Sequence, residues 1–395
     1  MRRLRFLTAG ESHGPELLVI LEGMPAGLPL DGEDINKHLI RRQMGYGSGG
    51  RMSIEEDRAR IVSGVLEGQT IGSPIGMRIA NKNHRQWRGK PIPPFTRPRP
   101  GHADLTGTLK YGYRDLRPAS ERASARETAA RVAAGAVCIH LLEQFDIRVG
   151  GWVAAIGGIQ APRYQPAQET FADHIAQVEG SEVRCVHPET SRAMREAIHQ
   201  AKVDQQTLGG VIEVAVLGLP PGLGAFAQWD RRLDARIGAA VLSVQAMKGV
   251  EFGYGFENTG KKGARAQDPI RADGDRLVRP SNHAGGLEGG VTNGNPLLVR
   301  TAMKPIATTL TPQPTVDLLI EQETETEYER SDFCPVPRAV PILEAMVAIV
   351  IADALLEKLG GDALSEMQAR FPDLARTRFS DIDLDGEDHT WWPDA

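Results

Sequence analysis

The chain opens on alternating apolar and polar residues, a period of two that is typical of a half-buried β-strand. This alternation runs into T-A-G-E-S-H-G, and residues 17–21 form a second strand-like segment. Helical spacing then predicts a helix over about residues 32–44. The same order returns later, where the pattern predicts a strand over 211–217 and a helix over about 229–247.

A short turn of similar sequence lies between the strand and the helix of each half. M-P-A-G-L at residues 24–28 matches L-P-P-G-L at residues 219–223, which indicates two related halves. Short alternating strands mixed with helices are typical of an α+β fold or mixed sandwich, and differ from the order of a parallel, doubly wound sheet. The sequence therefore predicts an α+β, non-Rossmann fold with two pseudo-related halves.

A marked helix start follows residue 123. Ser124 and Glu127 have the S-x-x-E spacing of a capping box, and apolar residues then recur at helical spacing, which predicts a core helix ending near Phe145. The first turn of a helix offers free backbone N–H groups and the positive end of the dipole, which suit a phosphate. Because Arg122 and Arg126 flank this turn, we expect an anion site; a capped helix with solvated arginines is the alternative.

Two other segments carry strong patterns. The longest apolar run, residues 339–356, is interrupted by Pro341, Glu344 and Asp353, which predicts a buried helix and not a membrane span. Glutamates occupy every second position over residues 321–329, so one face of a strand carries all of them. We expect that face to be solvated and not to bind metal. No calcium loop is predicted in the tail, since D-I-D-L-D-G is not followed by the required glutamate.

Composition is that of a globular protein. The 395 residues are 41% hydrophobic and 25% charged, which is enough for one large core or two modest ones. Three cysteines occur in no metal-binding or C-x-x-C spacing, and the first segment lacks a long apolar stretch. We therefore expect a cytoplasmic protein without a membrane partner.

Charge is distributed unevenly along the chain. The net charge is −5, and residues 360–395 hold nine Asp or Glu against three Arg, so we expect an acidic, flexible C-terminal tail. Residues 68–103 contain no carboxylate and seven Lys or Arg. This pattern predicts a basic, mobile loop over about residues 78–100 that closes as a lid over a small anionic ligand. Nucleic-acid binding, suggested by the interleaved Trp87 and Phe95, is the weaker alternative.

Two histidines stand in polar loops bounded by glycine, His13 in G-E-S-H-G and His102 in R-P-G-H-A-D. Glycine lets the backbone turn sharply and a ligand approach closely. Histidine suits acid catalysis near neutral pH because its unperturbed pKa is about 6.5. Together with the arginines that follow, these loops predict an enzyme that binds a phosphorylated, acidic small molecule and moves a proton on it.

Eight segments, in order, resemble the signature blocks of the chorismate synthase family. They are G-E-S-H-G, R-R-Q-M-G-Y-G, T-R-P-R-P-G-H-A-D, E-R-A-S-A-R-E-T-A-A-R-V-A-A-G-A, Q-A-M-K-G-V-E, S-N-H-A-G-G, M-K-P-I-A-T and R-S-D-F-C-P. The blocks cover residues 1 to about 359. The resemblance therefore implies one catalytic domain over residues 1–359, with residues 360–395 as a tail outside it.

The resemblance also implies a β-α-β sandwich, a homotetramer and a carbon–oxygen lyase. The family converts 5-enolpyruvylshikimate 3-phosphate to chorismate by 1,4-anti elimination of phosphate, the last common step of the shikimate pathway toward the aromatic amino acids. It needs reduced FMN although no net redox change occurs. The cofactor supplies the electron density that helps to expel phosphate, and the protein supplies positioning, anion binding and protons.

Residue roles follow from the matched motifs. The resemblance implies that His13 protonates the departing phosphate, that His102 protonates the reduced flavin and that Asp332 relays a proton from it. The residues implied to bind FMN are Arg122, Ala123, Ser124, Gln245, Ala246, Gly289, Lys304, Pro305, Ile306, Ala307, Thr308 and Arg330. Those implied to bind substrate or NADPH are Arg42, Ser48, Arg51, Arg126 and Arg131.

One position departs from the family pattern, since many members carry arginine where this chain has Ser48. Arg42 and residue 48 lie in the region linked to NADPH in members that reduce their own flavin. The missing guanidinium predicts a monofunctional enzyme that receives reduced FMN, with NADPH only its indirect source. An NADPH-dependent flavin reductase is the second hypothesis, and nucleic-acid binding is a distant third.

Overall fold

Two antiparallel sheets with helices between them form the body of the computed structural model, which describes residues 3–48, 55–328 and 332–392. The first half of the chain builds a four-stranded sheet of order β1-β2-β6-β3. In chain order its elements are β1 (Arg5–Ala9), β2 (Glu16–Glu22), α1 (Gly32–Gln43), β3 (Ala59–Ser63), β4 (Val65–Leu66), β5 (Gln69–Thr70) and β6 (Ile75–Ala80). Strands β4 and β5 form a separate small hairpin.

Three helices follow the first sheet. They are α2 (Asp104–Tyr111), α3 (Arg117–Ala123) and α4 (Thr128–Glu143). Helix α4 is apolar and buried nearly all along its length, and it packs against β2 of the first sheet. An apolar helix of this kind requires cover on all sides, and the second half of the chain supplies it.

The second half builds a five-stranded sheet of order β10-β15-β9-β7-β8. Its elements up to the small hairpins are β7 (Arg148–Ile156), β8 (Ile159–Gln160), α5 (Phe171–Glu179), α6 (Pro188–Val203), β9 (Gly210–Leu217), α7 (Leu233–Leu242), β10 (Met247–Phe252), α8 (Gly263–Ala266), β11 (Arg271–Asp273) and β12 (Arg276–Val278). The remaining elements are β13 (Leu287–Glu288), β14 (Val291–Thr292), β15 (Leu297–Met303), β16 (Pro314–Asp317), β17 (Gln322–Glu325), α9 (Val336–Leu359) and α10 (Leu364–Arg370).

Both halves follow one topology. In the first sheet the strands succeed one another in space as first, second, fourth and third along the chain, β1-β2-β6-β3. Apart from the short edge strand β8, the second sheet repeats this order as β7-β9-β15-β10. A helix follows the second strand in each half (α1 and α7), and another follows the fourth (α4 and α9). The prediction of an α+β sandwich with two related halves is therefore confirmed.

A threonine hydroxyl closes the M-P-A-G-L turn of the first half. Thr70 Oγ1 donates to the carbonyl of Pro25 at 2.6 Å and accepts from the Leu28 N–H at 3.0 Å. The Thr70 carbonyl accepts from Gly27 N–H at 2.8 Å. Gly27 has φ of +85°, a left-handed conformation that glycine adopts without strain.

The L-P-P-G-L turn of the second half repeats these bonds one for one. Thr292 Oγ1 donates to the carbonyl of Pro220 at 2.7 Å and accepts from the Leu223 N–H at 2.8 Å. The Thr292 carbonyl accepts from Gly222 N–H at 2.9 Å, and Gly222 has φ of +90°. The weak sequence match between the turns thus corresponds to one shared structure, closed in each half by the hairpin that lies before the fourth strand.

Helix α9 lies at the centre of the molecule. All of its 24 residues except Glu357 and Lys358 are buried, against α1, α4, α7, β7 and β9. It is the one described helix long and apolar enough to cross a membrane, yet its apolar window lies wholly inside the protein. The prediction that residues 339–356 form a buried helix is confirmed.

Three predictions about local structure need correction. The helix expected over residues 229–247 is shorter, since α7 ends at Leu242 and Ala246 has φ of +67°, which no α-helix continues through. The basic segment leaves the sheet only after Ala80, because β6 includes Arg78, and Lys82–Gln86 then form a short helical turn. The tail is packed further than expected, since Leu364 and Met367 of α10 belong to the main apolar core.

Of the predicted glutamate row, Glu323 and Glu325 are exposed on β17, as expected of a solvated face.

The shared turn predicts that two distant threonines contribute alike to stability. Replacing Thr70 or Thr292 by valine keeps the shape but leaves a buried carbonyl and a buried N–H without their partner. We expect each variant to lose about 1–3 kcal/mol of unfolding free energy, measured by urea denaturation. Serine at either position keeps the hydroxyl and should lose clearly less. Wild-type stability in either valine variant would contradict this reading of the turn.

Candidate active site

The predicted site residues meet where the first sheet, α3 and the start of α4 adjoin the end of β15. His13 lies between β1 and β2, and His102 lies two residues before α2. Both loops are anchored to α3, and Lys304 approaches from the residue after β15. The structure thus brings Lys304 to the loop of His102, although Lys304 and Gly101 are 203 residues apart in the sequence.

His13 is held by a carboxylate. Its ring Nδ1 lies 2.6 Å from Glu121 Oε1, and its backbone N–H donates to Glu121 Oε2 at 2.7 Å. Burial alone would raise the pKa of Glu121, but the hydrogen bonds from His13 outweigh it, so the pKa lies below its ordinary value. Since an ionised carboxylate only accepts hydrogen bonds, Nδ1 of His13 carries a proton and Nε2 is left for other chemistry.

An aromatic side chain of the basic loop packs on the ring of His13. Trp87 stacks on it with ring centroids 4.1 Å apart. The carbonyl of His13 lies 2.9 Å from Nδ1 of His84, in the short helical turn Lys82–Gln86. Trp87 and Phe95 each lie under the guanidinium of Arg117. The aromatic residues that suggested base stacking therefore serve packing inside the protein.

His102 has a carboxylate partner of its own. Its Nδ1 lies 2.5 Å from Asp104 Oδ1, and Asp104 is fully buried. Arg99 also donates to Asp104, from Nε at 2.7 Å and from Nη2 at 2.8 Å. Burial would raise the pKa of Asp104, but the hydrogen bonds from Arg99 and His102 prevail and hold that pKa well below its usual range. The carboxylate is thus charged and fixes the ring.

Neighbouring residues of α3 connect the two histidine centres. Ser120 accepts a hydrogen bond from Arg99 Nη2 at 2.6 Å, and Arg99 is the partner of Asp104. Glu121, the next residue, holds His13. A helix of seven residues therefore sets the position of both rings at once.

The end of β15 closes the site opposite α3. Lys304 Nζ donates to the Gly101 carbonyl at 2.7 Å, beside His102. The backbone N–H of Lys304 donates to the Ala246 carbonyl at 2.9 Å. Gln245 in turn reaches Glu127 at the start of α4, with Nε2 3.4 Å from Oε2. The motifs Q-A-M-K and M-K-P-I-A-T thus adjoin the loop of His102.

The capping box predicted at Ser124 and Glu127 is half wrong. Ser124 accepts a hydrogen bond from the Arg126 N–H at 3.3 Å and caps the turn before α4, as expected. Glu127, however, accepts hydrogen bonds from Thr8 at 2.7 Å and from Arg131 at 2.9 Å. Its carboxylate ties β1 to α4 and does not return to the cap.

Asp57 joins two of the predicted substrate arginines. It is fully buried, with Arg42 Nη1 3.0 Å from Oδ2 and Arg126 Nη1 2.5 Å from Oδ1. The other nitrogens of Arg42 donate to Thr128 and to the Ala125 carbonyl. Burial lowers the pKa of Arg42 to about 10, with the charge of Asp57 opposing the shift. Arg42 remains charged at neutral pH, and its described contacts are internal.

Asp332 reaches this cluster through one further arginine. Arg338, in the first turn of α9, forms an ion pair with Asp332 and donates from Nε to the Arg42 carbonyl at 3.2 Å. Asp332 is therefore linked to Asp57 through Arg338 and Arg42. A proton relay through Asp332 stays a prediction.

The other predicted residues are placed as follows. Arg122 is exposed and donates to the Thr8 and Gly10 carbonyls, and Arg131 also donates to Ser243 Oγ at 2.6 Å. Ser48 donates to the Gly45 carbonyl at 2.7 Å and lines a separate hollow of about 650 Å³ between the end of α1, α5 and α6. Gly289 lies in the β13–β14 turn. Arg51 and Arg330 lie outside the described residues.

Two features of the structure suit a bound flavin. Gln245 Oε1 is buried without a hydrogen-bond partner among the described residues, so it offers an acceptor to an N–H donor. Gly289 has φ of +60°, and a Cβ there would meet only Phe226 Cβ, at 3.7 Å, which leaves its backbone open to close approach. No cluster of metal-binding side chains occurs within residues 3–48, 55–328 and 332–392.

Three carboxylates that fix the predicted site residues were not predicted: Asp104, Glu121 and Asp57. Asp104 was visible as the third residue of H-A-D, a spacing short enough for a side-chain pair. Glu121 and Asp57 gave no such signal, because they lie 108 and 15 residues from His13 and Arg42. Only the folded chain brings these carboxylates to their partners.

Asp104 gives a pH-dependent prediction. Because its pKa is depressed in the folded state, its contribution to stability is complete above the unfolded pKa of about 3.9 and is lost as the pH falls toward the folded value. We expect Asp104→Asn to lose about 1–3 kcal/mol of unfolding free energy at pH 7, with a smaller difference from wild type below about pH 4. Urea denaturation at both pH values measures this, with Asp273→Asn on exposed β11 as the control. A difference independent of pH would contradict it.

Comparison with known proteins agrees with the motifs. A model of the chorismate synthase family matches residues 4–356. Chorismate synthase of Trichlorobacter lovleyi is 51% identical over 382 residues, covering 92% of this chain and 97% of that protein, and that of Aquifex aeolicus is 50% identical, covering 94% and 98%. A crystal structure of chorismate synthase has a TM-score of 0.77 at 44% identity and covers 94% of this chain and 97% of that one. The chain therefore belongs to the chorismate synthase family and is an enzyme of the lyase class.

Proposed function

We propose that this enzyme eliminates phosphate and a ring C6 hydrogen from 5-enolpyruvylshikimate 3-phosphate in the 1,4-anti sense to give chorismate, with reduced FMN as cofactor and acceptor of that hydrogen. The observation that carries the proposal is the pair of histidines, each held at Nδ1 by a carboxylate and both anchored to α3. An elimination that releases phosphate needs a proton donor placed at the leaving group. Two separately held histidines supply one donor for the substrate and one for the cofactor.

His13 is the proposed donor to the departing phosphate. With Nδ1 on Glu121, its Nε2–H gives its proton to a phosphate oxygen as the C–O bond breaks. Ser12 and Ser124, whose hydroxyl oxygens lie 3.1 Å apart, border His13 and the start of α4. The N–H groups of that helix start add a positive potential suited to an anion.

Arginines are proposed to hold the charges of the substrate. Arg131 lies in the first turn of α4 and also pairs with Glu127. Arg126 lies in the turn before α4, and its three side-chain nitrogens bond to Asn81, Asp57 and the Ala80 carbonyl, so we propose that it contributes its charge and not a direct hydrogen bond. Arg51 is assigned by its motif alone. All three side-chain nitrogens of Arg42 bond to the protein, so we propose that Arg42 acts by fixing Asp57 and, through it, Arg126.

Reduced FMN is the proposed cofactor. Its contacts would come from Arg122, Ala123 and Ser124, from Gln245 and Ala246, from Gly289, from residues 304–308 and from Arg330. The unpartnered Gln245 Oε1 and the open backbone at Gly289 support this assignment. When bound, the cofactor lends the electron density that makes loss of phosphate possible. His102 would protonate it, and Asp332 would accept a proton from it.

We further propose a monofunctional, cytoplasmic homotetramer. Ser48 is hydrogen-bonded to the Gly45 carbonyl where many family members carry arginine, which removes one cation from the region linked to NADPH. The enzyme would then receive reduced FMN from other proteins, and NADPH would act only as the distant source of electrons.

The function predicts that phosphate and chorismate form together under anaerobic conditions. Protein, chemically reduced FMN and 5-enolpyruvylshikimate 3-phosphate should give both products catalytically, with no net oxidation of the flavin. His13→Ala and His102→Ala should each lower turnover by about 10²–10⁴-fold while folding is kept.

Two outcomes would contradict this proposal. Near-normal turnover in either variant would remove the catalytic role of that histidine. Oxidation of NADPH by the protein with FMN alone, without formation of chorismate, would favour the flavin reductase instead.

The basic segment predicts protection from proteolysis on closure. Arg88 is exposed in the irregular chain after Lys82–Gln86, and the bond after it is open to trypsin, whereas Lys90 is followed by proline. FMN and substrate together should slow cleavage after Arg88, while cleavage after the exposed Lys262 should keep its rate. Equal cleavage after Arg88 with and without ligands would contradict a lid.

A further inference from the structure

We propose that Glu121 is a positioning residue that acts on the reaction through His13. This inference rests on the proposed function, in which His13 donates the proton to the departing phosphate. Glu121 itself makes no contact with the reacting atoms. Its effect comes from fixing which ring nitrogen faces the substrate.

The geometry ties Glu121 to His13 alone among the histidines. One carboxylate oxygen accepts a hydrogen bond from the ring Nδ1 at 2.6 Å, and the other accepts one from the backbone N–H of the same residue at 2.7 Å. The backbone bond fixes where the residue sits, and the ring bond fixes how the imidazole is turned. With both oxygens engaged, rotation that would present Nδ1 to the substrate breaks a hydrogen bond to a charged acceptor.

Helix α3 holds His13 from both sides. Glu121 is hydrogen-bonded to Nδ1 at the edge of the ring, and Trp87 stacks on the face of the ring. Trp87 lies under the guanidinium of Arg117, the first residue of α3. The backbone N–H of Ser12 donates to the Glu121 carbonyl at 3.2 Å, so the loop before His13 is tied to the same residue. Few ring orientations are left to His13.

Electrostatics gives Glu121 a second effect. Its carboxylate is about one-seventh exposed and keeps its charge, since the hydrogen bonds from His13 oppose the effect of burial on its pKa. A charged acceptor gives a stronger hydrogen bond than a neutral one. The charge of Glu121 therefore holds Nδ1 of His13 on the side of the carboxylate and leaves Nε2 on the opposite side.

Kinetics of Glu121→Gln test the proposal. Glutamine preserves the size of the side chain but removes the charge. We expect kcat to fall by about tenfold to a hundredfold with KM changed by less than about threefold, because the loss lies in the proton-transfer step.

A double-mutant cycle separates positioning from general structural support. If Glu121 acts through His13, adding Glu121→Gln to His13→Ala should cost less than about twofold further. An equal loss in both backgrounds, or a loss that falls on KM and not on kcat, would overturn the proposal. Glu16→Gln is the matched control, because Glu16 pairs with Arg78 on the surface three residues beyond His13. It should leave kcat and KM unchanged.

The wild-type enzyme distinguishes failure of this inference from failure of the proposed function. If the wild-type enzyme forms no chorismate, the proposed function is wrong, and the role of Glu121 in that reaction is wrong with it. If wild type is active and the two substitutions act independently, the function stands and Glu121 is only structural. Thermal unfolding of each variant, expected within a few degrees of wild type, confirms that the comparison is made on folded protein.

Discussion

The structure depends on burying an apolar helix, α9, that carries two buried carboxylates. A carboxylate inside a protein costs several kcal/mol unless it is paired, and the partners come from three other elements and from the residue before β1. Glu344 takes Arg41 of α1 and the Gly151 N–H of β7. Asp353 takes Arg236 of α7 and the Leu4 N–H just before β1. These pairs fix both sheets relative to the central helix. Because β1 leads directly into the loop of His13, the helix that fills the core also determines where the site begins.

Pairing of opposite charges also shapes the site. There the carboxylates support cations that bind an anion. Several cations placed there are paired with a carboxylate: Arg126 with Asp57, Arg99 and His102 with Asp104, and His13 with Glu121. A cluster of unpaired cations would be unstable before an anionic substrate arrives. Pairing lowers the cost of holding these cations together before a ligand binds. The acidic residues are therefore the reason that a slightly acidic protein can present an anion site.

The sequence predicted the elements that depend on residues close together in the chain. It missed the features that depend on contacts between distant residues. Periodicity located β2, α1, β9 and the buried helix α9, because burial produces a hydrophobic pattern among residues that are close in the sequence. Motifs located both histidines. The pattern failed at Glu127, where the S-x-x-E spacing was real but Thr8 and Arg131 claimed the carboxylate. It failed at α7, which ends where Ala246 turns left-handed. Glu121 and Asp57 could not be assigned at all, because their partners are chosen by tertiary structure.

The turn closed by Thr70 and again by Thr292 bears on how the chain arose. Two halves that share strand order, helix placement and the same set of turn hydrogen bonds imply duplication and fusion of a gene for one half. A single half would expose the apolar surface of α4 or α9, which now pack together so closely that a Cβ on Gly135 would overlap Ala345. The ancestral half must therefore have paired with a copy of itself. The interior of the present enzyme is then an inherited subunit interface, sealed when the two genes became one.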